Sequence, residues 1–374
     1  GPGVVAAHGG TKVDANRILV DGRLPDPSGG KSGQGVVVEW GAQLTLREAR
    51  LSANRETGLS VGAPGSSVDA SRLLIDGTRS GEDEEKSPVG AQFYFGAAVK
   101  LTEVRLTANR VRGLFATGPG TSVAATRLIV DETLPDEGHG GLGRGMFLHD
   151  GAQATLCATR LSGNREFGLV VTGKGTVLTA DHILIDGTLP QSSDNHWGRG
   201  ASVEHGAQVS LQDARLSANA DIGLVVRDAG TVLKARRLLV DGTLSQASDL
   251  SSGRGVEVEW ARLTLHDARL SANREIGLLV SGVGAVVDAT RLVIDGTLPT
   301  EGGKSVGRAL EVANGAAAAL RDARLSANSE WGIVVADAGA VFEGTRLLVD
   351  GPSPKNVGSQ AWGGLYAQGG AGVR

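Results

Sequence analysis

The side chains able to do chemistry in this chain recur at long, regular intervals rather than gathering in a motif. Trp40, Phe95, Asp150, His205, Trp260 and Asn314 follow one another at 55 residues, the last at 54. Acids stand just before three of them, at Glu39, Glu204 and Glu259. Aromatic faces beside carboxylates form a sugar-binding strip, while the simpler reading is aromatic packing over a turn. Cationic residues recur as well, at Arg17, Arg50, Arg72, Arg105, Arg127, Arg160, His182, Arg215, Arg237, Arg269, Arg291, Arg324 and Arg346. Metal and nucleophile chemistry find little support. The seven histidines keep no zinc-ligand spacing, and no phosphate loop, nucleophile elbow or Cys-His pair is present. Only Glu82-Asp83-Glu84-Glu85 concentrates oxygen ligands, enough for calcium, although a solvated acidic loop is the favoured reading. No other cofactor or metal is expected.

The elements that position these residues follow from the same interval. Leu-Ser-Ala-Asn or a close variant ends at Asn54, Asn109, Asn164, Asn219, Asn273 and Asn328, and a Leu-Leu-Ile-Asp-like string ends at Asp21, Asp76, Asp131, Asp186, Asp241, Asp295 and Asp350. The cationic series alternates between steps of 33 and 22, which predicts thirteen coils of about 22 residues with a loop of roughly 11 after every second coil. Apolar residues alternate with a period of two, as in Val36 and Val38, then Leu44 and Leu46, then Leu51, and glycines such as Gly35, Gly41 and Gly58 separate the runs. Three short strands per coil without hairpin turns predict an all-β, right-handed parallel β-helix. Each inward column stacks like on like, one running through Leu51, Leu73, Leu106, Leu128 and Leu161. The asparagines form a structural ladder in which aligned amides bond from coil to coil and satisfy turn backbone.

This frame decides what the recurring polar residues face. Aromatic-column members two coils apart lie about 10 Å from one another, close to a disaccharide's length. The arginines point outward about 5 Å apart and repel by roughly 1 kcal/mol even in water. Acids two residues earlier (Glu48, Glu103, Asp213, Asp267, Asp322) or three earlier (Asp14, Asp69, Asp288) would compensate them. The alternative is a track for an anionic polysaccharide or lipid headgroup. Outward apolar positions make two columns: Phe115, Val170, Val225, Leu279 and Val334, then Leu19, Leu74, Ile129, Leu184, Leu239, Val293 and Leu348. Loop leucines Leu24, Leu134, Leu189, Leu244 and Leu298 should cover part of them, leaving the rest as a partner or homo-oligomer interface.

Residues 3–374 read as a single β-helix domain and a piece of a longer protein, with Gly1 and Pro2 as the remnant of a removed purification tag. A lone cysteine, Cys157, permits no internal disulfide, so stability must come from stacking. A net charge of −4 over 374 residues argues against nucleic acid as the main partner, and no apolar run is long enough to span a membrane. The bias toward Ala, Arg, Gly, Val and Leu is that of a GC-rich bacterial genome.

The pattern Asn-x-x-x-Gly-Leu-x-Val, at Asn54 to Val61, Asn164 to Val171, Asn219 to Val226 and Asn273 to Val280, resembles the repeat of the pectate-lyase-like right-handed β-helix superfamily over nearly the whole chain. The resemblance implies secretion or bacterial surface display and a polysaccharide partner. It spans lyases, glycoside hydrolases, uronate epimerases, tailspikes and adhesins. Of the hydrolase-like signatures only Gly138-His139-Gly140 is present, and Leu148-His149-Asp150 is a poor substitute for the epimerase-like Asp-Pro-His-Asp. A reaction centre needs unlike residues converging once, whereas this unit repeats six times. The expected function is therefore a non-catalytic glycan-binding, adhesion or structural module, with a polysaccharide-cleaving or epimerising enzyme and a tailspike-like fibre as the alternatives.

Overall fold

The computed structural model describes residues 1–23, 33–80, 88–138, 140–303, 307–350 and 363–374. Among these there is no helix, and the strands sort into two all-parallel sheets of 14 and 15 strands. The chain is a right-handed parallel β-helix. It divides into two compact units, residues 1–184 with 191–193 and residues 185–190 with 194–374, built on the same two-coil repeat.

In a typical coil a six-residue strand such as Thr57–Gly62 enters the first sheet, and after a tight corner a ten-residue strand such as Ser67–Asp76 enters the second. Each long strand bends at one residue held in the left-handed region. In the first unit these are Glu48, Arg72, Glu103, Arg127, Ala158 and His182, and in the second Asp213, Arg237, Asp267, Arg291, Asp322 and Arg346, with φ between 51° and 57°. The bend divides the long strand into two of the three expected segments and turns both inward. Val36, Val38, Leu44, Leu46 and Leu51 are accordingly buried.

The bend also sets the register, which differs from the one that matching letters predicts. Leu51 pairs with Ile75 and then Leu106, while Leu73 pairs with Ala49 and Val104, so the proposed leucine column is two columns. The cationic series splits in the same way. Arg17 and Arg72 share the bend column with Glu48 and bond to it, both at 2.8 Å. Arg127 bonds to Glu103 at 2.8 Å, and in the second unit Arg237, Arg291 and Arg346 bond to Asp213, Asp267 and Asp322. Arg50, Arg105, Arg215, Arg269 and Arg324 occupy another column two residues on, where they bond to Asp76, Asp131, Asp241, Asp295 and Asp350 at 2.6–3.0 Å. Arg160 reaches Ser162 and His182 reaches Asp181. Cation and anion therefore alternate along most of the bend column, and the uncharged Ala158 interrupts them between Arg127 and His182.

The apolar outward columns are also less open than the sequence suggests. Val170, Val225, Leu279 and Val334 are buried, and Phe115 is half-buried. On the second sheet Arg50, Leu74, Arg105 and Ile129 follow one another in register, as do Arg215, Leu239, Arg269, Val293 and Arg324. Arginine stems flank the aliphatic side chains there and cover part of them while the heads stay in water, but Ile129 and the column's outer members Leu19 and Leu348 remain exposed. The loop residues Leu189, Leu244 and Leu298 remain partly exposed, and Leu24 lies outside the described residues.

The asparagine ladder alternates with threonine. Asn164 accepts from the Thr133 amide at 3.2 Å and hydroxyl at 2.7 Å and donates to the Val130 carbonyl at 3.0 Å. Asn109 repeats these bonds with Thr78 and Ile75, and Asn273 with Thr243 and Val240. Asn219 and Asn328 accept from the amides of Thr188 and Thr297, and Asn54 donates to Val20. Each amide from Asn109 onward thus ties its coil to the Asp-Gly-Thr or Asp-Glu-Thr corner beside it, whereas Asn54 faces Asp21-Gly22-Arg23 and its Oδ1 has no partner among the described residues. Close approach requires a glycine opposite: a Cβ on Gly145 would lie 2.7 Å from Asn164 Nδ2. Because Asn164→Ala leaves buried partners unsatisfied, it should cost roughly 3 kcal/mol. A lower denaturant midpoint with faster exchange of the Thr133 amide checks this; unchanged protection would remove the ladder's structural role.

Candidate functional site

Unlike residues converge on the outer face of the first sheet and at the corner that follows it. Each long-coil corner begins with a left-handed residue, Trp40, Phe95, Asp150, His205, Trp260 or Asn314, with φ between 52° and 59°. This conformation throws the side chain clear of the strand, leaving Trp40, Phe95 and Trp260 at 63%, 68% and 50% exposure.

In the second unit the structure brings Glu204, His205, Glu259 and Trp260 together. Arg227 stands in register with Glu259 and bonds to Glu204 on its other side at 2.6 Å. Glu257 lies on the same face two residues before Glu259 and is held by Arg254 at 2.6 Å. Arg254 also bonds to Glu275 at 2.7 and 3.2 Å. Burial, followed by the charge of Glu257, raises the Glu259 carboxyl above the ordinary glutamate range despite the nearby arginines. Arg227 is raised: burial opposes its charge, but the hydrogen bond and charge of Glu204 outweigh it.

The corner beside this row is an open groove of about 510 Å³ lined by Asp228, Trp260, Arg262 and Val283. The Trp260 indole overlies Gly282, where a Cβ would come within 2.3 Å of Nε1, so glycine there allows one indole face to pack on the turn. His205 donates its backbone N–H to Asp228 at 3.2 Å, and its Nδ1 lies 3.4 Å from Asp228 and 3.9 Å from Glu204. One imidazole and two carboxylates with ligand atoms within 4.8 Å form a set able to hold a divalent cation, in competition with Arg227 for Glu204.

The first unit gathers Glu39 and Phe95 through a residue outside the expected strip. Tyr94 donates its hydroxyl to Glu39 at 2.9 Å and meets Phe95 edge-on at 5.3 Å. It crosses above Gly62, where a Cβ would lie 2.3 Å from the ring. The proposed calcium loop, Glu82, Asp83, Glu84 and Glu85, and His139 of the Gly-His-Gly string lie outside the described residues.

Sequence reasoning also missed a partly buried charge series at the start of the first-sheet strands. Arg144 bonds to Glu166, Arg199 to Asp221, Arg254 to Glu275 and Arg308 to Glu330, each at 2.7–2.9 Å. Its signal was the recurring Arg-Gly at Arg144, Arg199 and Arg254.

No protein-family model matches the chain, and no curated protein sequence matches it. Among solved structures it is similar to the Dettilon tailspike protein gp208, with TM-score 0.47 and 12% identity over 96% of this chain and 62% of that one. It is also similar to pectate lyase Pel9A, with TM-score 0.42 and 10% identity over 94% and 80% of the two chains. The alginate lyase from Paenibacillus sp. gives TM-score 0.36 and 11% identity over 96% and 99%. This chain therefore spans less than two thirds of the tailspike's length. Among the described residues no helix is long and apolar enough to cross a membrane.

The raised Glu259 carboxyl sets a pH dependence. A group that holds its proton more tightly when folded contributes stability that is full below its unfolded pKa and lost as pH rises through the folded one. Glu259→Gln fixes the neutral form. Its thermal stability relative to the native chain should therefore rise as the pH is raised from about 4, the ordinary glutamate range, toward neutrality. Melting curves across that range check this; a difference independent of pH would contradict the burial of the carboxyl.

Proposed function

We propose that this chain is a non-catalytic carbohydrate-binding β-helix of a secreted or surface-displayed bacterial protein, and that the groove beside Trp260 receives the saccharide. The observation that carries this reading is the half-exposed indole in an open groove with Asp228 and Arg262, beside the row Glu204, Arg227 and Glu259. A sugar ring presents an apolar face and a rim of hydroxyls. The indole fits the first, and carboxylate and guanidinium groups held in place by one another fit the second. The groove also lies within the ~300–1,000 Å³ usual for small-ligand sites.

A catalytic reading has one observation in its favour, the carboxyl of Glu259 held toward its neutral form near the paired Glu204 and Arg227. A proton donor for a glycosidic bond needs that property. Reducing-sugar and unsaturated-uronate assays on every bound polysaccharide separate the two readings, since turnover lost in Glu259→Gln would establish catalysis.

Binding to a polysaccharide array, followed by titration of each positive, tests the proposal. Trp260→Ala should weaken binding roughly tenfold or more, a loss of about 1.4 kcal/mol, with an unchanged circular-dichroism spectrum. Trp40→Ala reports on the first unit's corner. Unaltered affinity in Trp260→Ala, or no glycan bound at all, would overturn the assignment of the groove.

A further inference from the structure

The regular charge pairing of the first sheet breaks at Arg112. In four repeats a long-coil arginine is held by an acid that opens the next short coil, as Arg144 is by Glu166, and in the first repeat Gln34 stands in the arginine's place. In the second repeat Val89 takes the arginine's place and Val111 the acid's. The arginine comes one position later in the short coil, as Arg112, in register with Val89 on one side and Arg144 on the other.

Arg112 thus stands next to a second cation. Glu166, whose field reaches it, is taken by Arg144 through both oxygens at 2.7 and 3.0 Å. The Arg112 guanidinium lies 5.1 Å from the Phe115 ring centre and 5.6 Å from that of Phe147. These rings stack at 5.6 Å, and His149 stacks on Phe147 at 5.8 Å. The Arg112 Nε is shut off from solvent and has no hydrogen-bond partner among the described residues. Burial, and after it the charge of Arg144, disfavours the cation. Yet a guanidinium does not give up its proton at neutral pH. Aromatic faces recover part of its lost hydration, but only an anion supplies both the opposite charge and a hydrogen-bond acceptor.

We infer that Arg112, set among Phe115, Phe147 and His149, is a receptor for an oxyanion, either the carboxylate of an acidic saccharide or a free sulfate or phosphate ion. This site lies in the first unit, shares no residue with the Trp260 groove, and stands or falls separately from it. It also differs from the anion track expected along the second sheet, where Asp and Glu already meet the arginines.

Arginine-selective ¹⁵N labelling tests it, with the Arg112 Nε–Hε signal assigned by its disappearance in Arg112→Lys. Glucuronate, sulfate and phosphate are titrated in turn, with glucose as the neutral control. Saturable movement of this signal by an oxyanion and none by glucose is the expected result. Tighter binding of glucuronate identifies the saccharide source, and equal or tighter binding of sulfate or phosphate identifies the free ion. Arg112→Lys keeps the charge but loses the planar fork, so it should bind at least about tenfold more weakly. Arg112→Met separates a binding role from a structural one. A cation kept for a ligand destabilises the empty protein, so Met should raise the melting temperature without ligand and abolish its rise with the oxyanion. An Arg112 signal unmoved by all three anions, or a ligand-free melting temperature lowered in Arg112→Met, would overturn the inference.

Discussion

Every other feature of this protein depends on the parallel register, in which each residue sits directly beside its equivalent in the next coil. Strand spacing near 4.8 Å makes every column a stack of close neighbours. For aliphatic residues this is favourable throughout, because like packs on like. For charged residues the same geometry would place identical charges within roughly 5 Å, which costs about 1 kcal/mol per pair even in water. The fifty-five-residue period resolves the conflict. A unit of two coils lets one column alternate, as Arg17, Glu48 and Arg72 do in the first unit and Asp213, Arg237 and Asp267 do in the second. A one-coil repeat with the same letters could not. The exposed pairs contribute little stability individually, but they remove the repulsion that an unalternated column would impose.

The asparagine column meets the same constraint through hydrogen-bonding capacity. A side-chain amide has both a donor and an acceptor, and each is matched to a different atom of the coil beside it, Val130 O and the Thr133 amide and hydroxyl in the case of Asn164. Threonine in alternate coils supplies the hydroxyl, so the ladder is again a two-coil device. Glycine on the facing strand provides the space, which is why Gly145 cannot carry a Cβ where Asn164 Nδ2 passes.

The parallel β-helix was legible because period-two alternation and a long exact repeat survive in the letters. Register was less legible, for a specific reason. Arg-aliphatic pairs occur in both coil types two residues apart, and a two-residue slip keeps every side chain on the same face of a strand. Hydrophobic alternation therefore cannot detect it. Only the left-handed bend does, and that bend accepts Glu48 and Arg72 alike. The corner residues Trp40, Phe95 and Trp260 were visible as a column, but the contacts that distinguish them came from letters outside the repeat: Tyr94 beside Glu39, and Gly282 beneath Trp260. The first-sheet ion pairs escaped because the residues that bond, such as Arg254 and Glu275, are 21 apart in one case and 22 in another.

Departures from the repeat are therefore the informative positions. In a stacked architecture each coil contacts mainly its neighbours, so a locally unfavourable arrangement affects the coils on either side and does not propagate along the stack. That permits the second repeat to place valines where four others place an arginine and an acid, and to leave Arg112 beside Arg144 without a carboxylate of its own. It also permits Glu259 to sit in a partly buried row that disfavours its charge. The second sheet shows what the repeat does when stability alone is served, with arginine met by acid in coil after coil. The first sheet bears the mismatched charges and the solvent-facing corner rings, and a fold with so regular a means of neutralising charge has no structural need for a guanidinium on aromatic rings with an unsatisfied Nε. The proposed ligand recognition rests on both what is present on that face and what has been left unpaired there.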